Sequence, residues 1–157
     1  MSTVQNPRLD EVEKTYLATQ HLARLATVDP AGAPQNNPVG FVLEADSDRI
    51  LIGGLALAST RKFRNACKHP GVALVIDDLA SVDPWTVRGV EIRGTAEALV
   101  DVDPPVPGMS REVLRITPHW IANWGLDDGG AFTRRGPTHG HVEPSRPWAP
   151  VEDGERR

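Results

Sequence analysis

A chain of 157 residues is long enough to bury one sizeable core, and its net charge of -4 argues against general nucleic-acid binding, which needs a broad basic face. A single cysteine, Cys67, excludes an internal disulfide, and no Cys/His spacing has the form of a zinc site. With neither an N-terminal apolar segment nor a long apolar run, secretion and membrane spanning are not expected, and the cytoplasm is the default address.

Asn6-Pro7 has the form of a helix cap with proline at the first helical position, and Leu9, Val12, Tyr16 and Leu17 give that helix an apolar stripe. Leu22 to Val28 reads as a strand, closed by Asp29-Pro30-Ala31-Gly32 in the pattern of a type I turn. Pro34 to Leu43 is then the second arm of a hairpin. It carries Gln35, Asn36 and Asn37 before Pro38 and Val39, and strand amides either face solvent or meet a polar ring system. Past the turn at Asp46-Ser47-Asp48, Ile50 to Ile52 forms a short apolar strand leading into Gly53-Gly54, where backbone can approach another group closely.

The stretch from Gly53 to Pro70 organises the chain. Ser59 or Thr60 can cap a helix by offering a side-chain oxygen to free backbone N–H groups, and Arg61, Lys62 and Arg64 follow in or near the first turn. That end of a helix favours acids, so three cations there oppose the helix dipole unless an anion sits among them. Free N–H groups, a hydroxyl cap and an Arg-Lys pair make a phosphate site, or else a solvated basic turn. Phe63, Ala66 and Cys67 give the helix a narrow apolar face, with Cys67 read as a small core residue, and His69-Pro70-Gly71 stops it.

Val72 to Ile76 reads as a buried strand that ends at a solvated Asp77-Asp78 pair. From Trp85 to Leu99 the pattern alternates, with Val90, Ile92, Gly94, Ala96 and Ala98 on one face. Arg88 falls on that same face and needs a local acid or a ligand. Trp85 is either a core anchor or a stacking wall. Three prolines between Asp101 and Gly108 mark a stiff surface loop. Two short helices are expected after it, Ser110 to about Ile116 and Thr117 to Trp124, followed by a loose tail from Asp128 in which His139 and His141 are incidental and Arg134 and Arg135 can close over an anion.

These elements describe a mainly β protein with flanking helices, a small antiparallel barrel that would hold a ligand at its mouth or between subunits. Neither the regular strand–helix alternation nor the glycine fingerprint of a Rossmann domain is present.

The segments RLATVDPAGAPQNNPVGF, STRKFRN, GVALVIDDLASVDPW, RGVEIRGTAEAL and RITPHWIANWGLD, in this order, resemble the pyridoxamine 5'-phosphate oxidase-like split β-barrel superfamily, and more narrowly its branch that uses the deazaflavin coenzyme F420. The resemblance runs from about Tyr16 to Asp127 and implies a cofactor domain over residues 1–127 with a tail over 128–157. It also implies a homodimer with cofactor sites at the subunit interface. On the family pattern, Arg61 and Lys62 grip the cofactor phosphate, with Ser59 and Thr60 before them. Gln35, Asn36, Asn37, Pro38 and Val39 lie along the ring system, Gly53 and Gly54 supply backbone contacts, Trp85 and Arg88 approach from the partner subunit, and Trp124 stands near the ring. His119 and Trp120 depart from the family motif, and the C-terminal substrate signature of vitamin B6 oxidases is missing.

FMN is the alternative cofactor, since one phosphate site serves both; Arg64, Lys68 or Arg134 would receive the polyglutamate tail of F420. No nucleophile triad, paired carboxylates or metal cluster stands out, as expected where a cofactor supplies the chemistry, and Tyr16, His21 and His119 are the candidate proton donors. The TRKFRN and DDLASVDPW segments are similar to deazaflavin-dependent reductases that reduce the 5a,11a double bond of a dehydrotetracycline during antibiotic biosynthesis. A non-catalytic flavin- or haem-binding protein on the same barrel is the reading from another class.

Overall fold

The computed structural model describes residues 6–127 and 132–137. Helix α1 (Glu11–Ala18) precedes strands β1 (Leu22–Val28), β2 (Pro34–Gly40), β3 (Val42–Leu43) and β4 (Ile50–Ile52). A 3-10 turn (Leu57–Ser59) leads into helix α2 (Arg61–Lys68), and strands β5 (Gly71–Val82), β6 (Trp85–Leu99), β7 (Val113–Trp124) and β8 (Phe132–Arg135) follow among the described residues. All pairings are antiparallel, in the order β2-β1-β5-β6-β7-β4-β3, with β8 added to β7. This is the expected mainly β split barrel: a curled half-barrel sheet with two helices. Among the described residues no helix is long and apolar enough to cross a membrane.

Alternation fills the barrel. Leu25, Leu74, Ile76, Ile92, Ile116 and Ile121 each lose essentially all exposure, and each such side chain contributes about 1.5–3 kcal/mol of transfer free energy. Helix α1 is capped by Asp10 and not by Asn6. The Asp10 carboxylate accepts from the Glu13 N–H at 2.8 Å and the Glu13 carboxylate accepts from the Asp10 N–H at 3.0 Å, a reciprocal capping box. Glu13 is completely buried, and it also accepts from Asn123 Nδ2 at 2.6 Å and pairs with Arg135. One carboxylate thereby fastens α1 to β7 and β8, and β8 orders part of the segment read as a loose tail. His139 and His141 lie outside the described residues.

Two other expectations fail because long-range pairing decides these segments. The arm from Pro34 to Leu43 breaks at Phe41, because β2 pairs with β1 whereas β3 pairs with β4 across the barrel. The two helices expected between Ser110 and Trp124 are the single strand β7. Val113, Ile116, Thr117 and Ile121 are β-branched and favour a pleated surface, and ladders to β6, β4 and β8 outweigh the Thr-Pro helix-start signal. Pro118 is accommodated at a register shift, where Gly94 faces Pro118 and Arg93 faces Trp120, so that His119 is the extra residue.

A cleft between the glycine pair and a cationic helix

Helix α2 begins as its sequence predicts. Thr60 is the N-cap, accepting weakly from Phe63 N–H at 3.4 Å while its hydroxyl donates to the Leu57 carbonyl at 2.7 Å. The Ser59 hydroxyl donates to the Ala56 carbonyl at 2.8 Å and so closes the 3-10 turn. No acid stands in the first turn, where backbone N–H groups lack helical acceptors and the helix dipole is positive. Among the described residues, Arg61, Lys62, Arg64 and Lys68, with Arg134 on β8, have no carboxylate within ion-pair distance, whereas Arg8, Lys14, Arg24, Arg49, Arg88, Arg93, Arg111, Arg115 and Arg135 each have one. Arg64 instead donates to the Ser59 carbonyl at 2.7 Å.

An open cleft of about 380 Å³ runs between this helix start and the barrel, lined by Pro38, Val39, Gly53, Gly54, Thr60, Lys62 and Met109. Six of the residues read from sequence as cofactor-binding therefore meet in one place. Arg61 lines a separate groove of about 530 Å³ with Arg64, Lys68, Asp29 and Pro30. Cys67, expected in the core, is exposed on that side. The buried face of α2 is Phe63, Asn65 and Ala66, because Asn65 turns inward to donate to Thr27 Oγ1 at 3.0 Å and to Gln35 Oε1 at 3.2 Å. Gln35 is thus held by the helix, while Asn36 is exposed and Asn37 half-buried on the same strand.

The proline-rich segment forms the remaining wall. Ser110 donates through its backbone N–H and its hydroxyl to the Gly54 carbonyl, at 2.8 and 3.0 Å, and accepts from Leu57 N–H at 3.2 Å. Asn65, Met109 and Ser110 were not singled out by sequence reasoning. A polar residue between Phe63 and Ala66 on the inward side of a short helix was the available signal for Asn65; Met109 and Ser110 carried none, since their position follows from the crossing of β7 beside β4.

Trp85, Arg88 and Trp124 lie elsewhere in the chain. Arg88 donates to both oxygens of Asp78, at 2.7 and 2.8 Å, so its partner is the local acid. Asp78 also accepts from the Tyr16 hydroxyl at 3.1 Å and from Gln20 Nε2 at 3.2 Å, and the Arg88 guanidinium lies 5.2 Å from the centre of the Tyr16 ring. The Arg88 hydrogen bonds hold the Asp78 carboxyl below the usual carboxylate range. Burial, reinforced by donation to Asp78, pushes the Tyr16 phenol well above its ordinary value, so this hydroxyl keeps its proton. Asp78, expected to be merely solvated, is the hub of this cluster. Trp85 stands 47% exposed near the β5–β6 turn, paired across it with an exposed Val82. Trp124 packs on Gly89, where an added Cβ would fall 2.6 Å from the indole Cζ2. Tyr16, His21 and His119 do not line the cleft, and both histidines are exposed.

The family described as pyridoxamine 5'-phosphate oxidase matches residues 9–125. A curated relative, the 5a,11a-dehydrotetracycline/5a,11a-dehydrooxytetracycline reductase of Streptomyces rimosus, is 42% identical over 121 residues, 73% of this chain and 82% of that protein. Among solved structures, a heme binding protein from Mycobacterium smegmatis superposes with a TM-score of 0.61 at 16% identity, covering 83% of this chain and 59% of that one. An F420 reductase superposes at 0.56 with 22% identity, covering 72% and 98%. At such identities the two structures speak for the fold alone, whereas the matched family and the curated relative reach further. A split barrel with a cleft between a glycine pair and an unpaired cationic helix, matched over residues 9–125, belongs to the pyridoxamine 5'-phosphate oxidase family, in its reductase branch.

Proposed function

We propose that this chain is an F420-dependent reductase that delivers a hydride to a conjugated C=C of a small molecule, with the 5a,11a double bond of a dehydrotetracycline as the preferred substrate. The observation that carries the reading is the cationic helix: all four cations of α2 lack carboxylate partners among the described residues, beside a Thr60-capped helix start and a cleft that Lys62 lines. Such a donor set fits a phosphate. Lys62 and the first-turn N–H groups would hold that phosphate. Pro38 and Val39 would form the floor under a flat ring, and Gly54 would offer backbone beside it. Bound in reduced form, the deazaflavin supplies the hydride, and the chain's own part is to orient an acceptor carbon and exclude water.

The choice of F420 over FMN is supported by the distribution of charge. One phosphate needs only the helix start. Arg61, Arg64 and Lys68, at positions i, i+3 and i+7, extend the positive face along a groove outside the cleft. A polyanionic tail has use for that stripe and FMN has none. The substrate is supported by the 42% identity to the Streptomyces rimosus reductase.

A homodimer with the site at the interface is supported by the separation of Trp85, Arg88 and Trp124 from the cleft. In a single chain they cannot border it, and a second copy could bring Trp85 and the Asp78–Arg88 pair to it. The test is a titration of the protein with F420 and with FMN, read by tryptophan fluorescence, followed by turnover of a dehydrotetracycline with reduced F420. Tighter binding of F420 and a reduced product are expected. Preference for FMN would overturn the cofactor, and binding of neither would overturn the redox reading.

A further inference from the structure

Resting on the reading that the cleft takes a flat ring carrying a phosphate, we infer that Met109 is the wall that touches the ring, and that residue 53 is glycine to admit the Met109 thioether rather than the ligand. An added Cβ on Gly53 would lie 2.6 Å from Met109 Sδ and 3.2 Å from Pro105 Cγ, so the space beside this glycine is already filled by the proline-rich loop. Its neighbour differs: a Cβ on Gly54 would meet nothing closer than Leu57 at 3.6 Å, an ordinary contact. Of the pair, only Gly53 is closely approached, and what approaches it is this chain.

The loop is built to hold its methionine in place. Val102 N–H donates to the Arg111 carbonyl at 3.0 Å and closes the base. The Arg111 guanidinium spans the Asp101 carboxylate at 2.9 Å, the Asp101 carbonyl at 3.2 Å and the Asp103 carboxylate at 3.1 Å. At the other end Ser110, next in sequence to Met109, is tied three times to Gly54 and Leu57. The backbone is therefore fixed while the side chain stays unbranched and polarisable, suited to the edge of an aromatic ring. Met109 lines the same cleft as Lys62 and Thr60, so one ligand can reach the cationic helix start and the thioether together.

The full chain and its Met109→Ala, Gly53→Ala and double variants would be titrated with F420 and FMN. Inorganic phosphate would be followed in parallel by its protection against thermal unfolding. Met109→Ala should weaken both ring-bearing ligands roughly two- to tenfold while phosphate protection stays unchanged. Gly53→Ala, whose methyl displaces the thioether, should cost as much alone and nothing further in the Met109→Ala background. If Met109→Ala disturbs the loop, Met109→Gln keeps the length, removes the sulfur and must show the same loss. Unchanged ring affinity in the Met109 variants, or an undiminished Gly53→Ala effect without Met109, would overturn the inference and leave the functional reading standing. A wild-type chain that binds neither ring ligand removes that reading, and the inference with it.

Discussion

Two populations of cation divide the molecule. On the barrel wall and along α1, Lys14 and every described arginine but Arg134 meet acids: Arg88 grips Asp78, Arg135 reaches Glu13, and Arg115 lies 2.7 Å from Glu97. On α2, Arg61, Lys62, Arg64 and Lys68 meet none among the described residues. The side chains are of the same kind, yet the first set ties strands and helices together, whereas in the second Arg61, Lys62 and Arg64 crowd the positive end of the helix and Lys68 alone stands in its last turn, where the dipole favours a cation. Paired cations serve the fold. Those at the start of α2 oppose the helix dipole and are a cost to the fold.

The sharpest way to break this contrast is at the paired side. Glu13→Ala strands Asn123 and Arg135 next to a buried void, and should cost about 3 kcal/mol, a fall in Tm of roughly 10 °C for a chain of this size. A thermal melt within a degree or two of wild type would show that the Glu13 latch is incidental. The unpaired side should answer in the opposite way. Lys62→Ala is expected to lower cofactor affinity by about tenfold to hundredfold, the worth of a charge-assisted contact, and to leave the melting temperature of the ligand-free chain unchanged or higher.

The Asp78–Arg88 pair offers a test with a sign. Its carboxyl is held below the ordinary range in the folded chain, so its contribution is fully present above the unfolded value near pH 4 and fades as pH falls through the folded one. Asp78→Asn should therefore destabilise by about 1–2 kcal/mol at neutral pH, allowing for partial exposure, and the gap to wild type should close on acidification. A gap as wide at pH 3 as at pH 7 would rule out the pair as its source. The smallest effect is expected from Arg64→Ala with Lys68→Ala. Affinity for F420 should drop by roughly a few-fold, affinity for FMN should hold, and the F420 loss should shrink with added salt.

Much of this was legible in the sequence because it is local. The helix start at Thr60 depends on neighbours within a turn and stands as expected, whereas the strand expected to be fully buried from Val72 to Ile76 is buried on alternate residues and runs past Asp77-Asp78 to Val82, because β6 pairs with its whole length. The Asn6 cap and the Cys67 burial were misread because better-placed residues compete for the same roles: Asp10 with Glu13 in a reciprocal cap, and Asn65 with two strand partners. The strand from Val113 to Trp124 was misread because three ladders, absent from any local window, decide it. For the same reason the cations of α2 were legible and Met109 was not, since Met109 reaches the cleft through a loop folded back onto a glycine more than fifty positions earlier.

Asn65 has a further consequence. Its buried amide spans from the helix that carries Lys62 to Thr27 on β1 and Gln35 on β2, the strand that carries Pro38 and Val39, so the two elements that border the cleft are braced against each other. A short, rigid brace of this kind makes the cleft a gauge. On the proposed function, a molecule with a charge at one end and a plate at the other would fit only when the linker between them spans the braced cleft, whatever the chemistry of the plate.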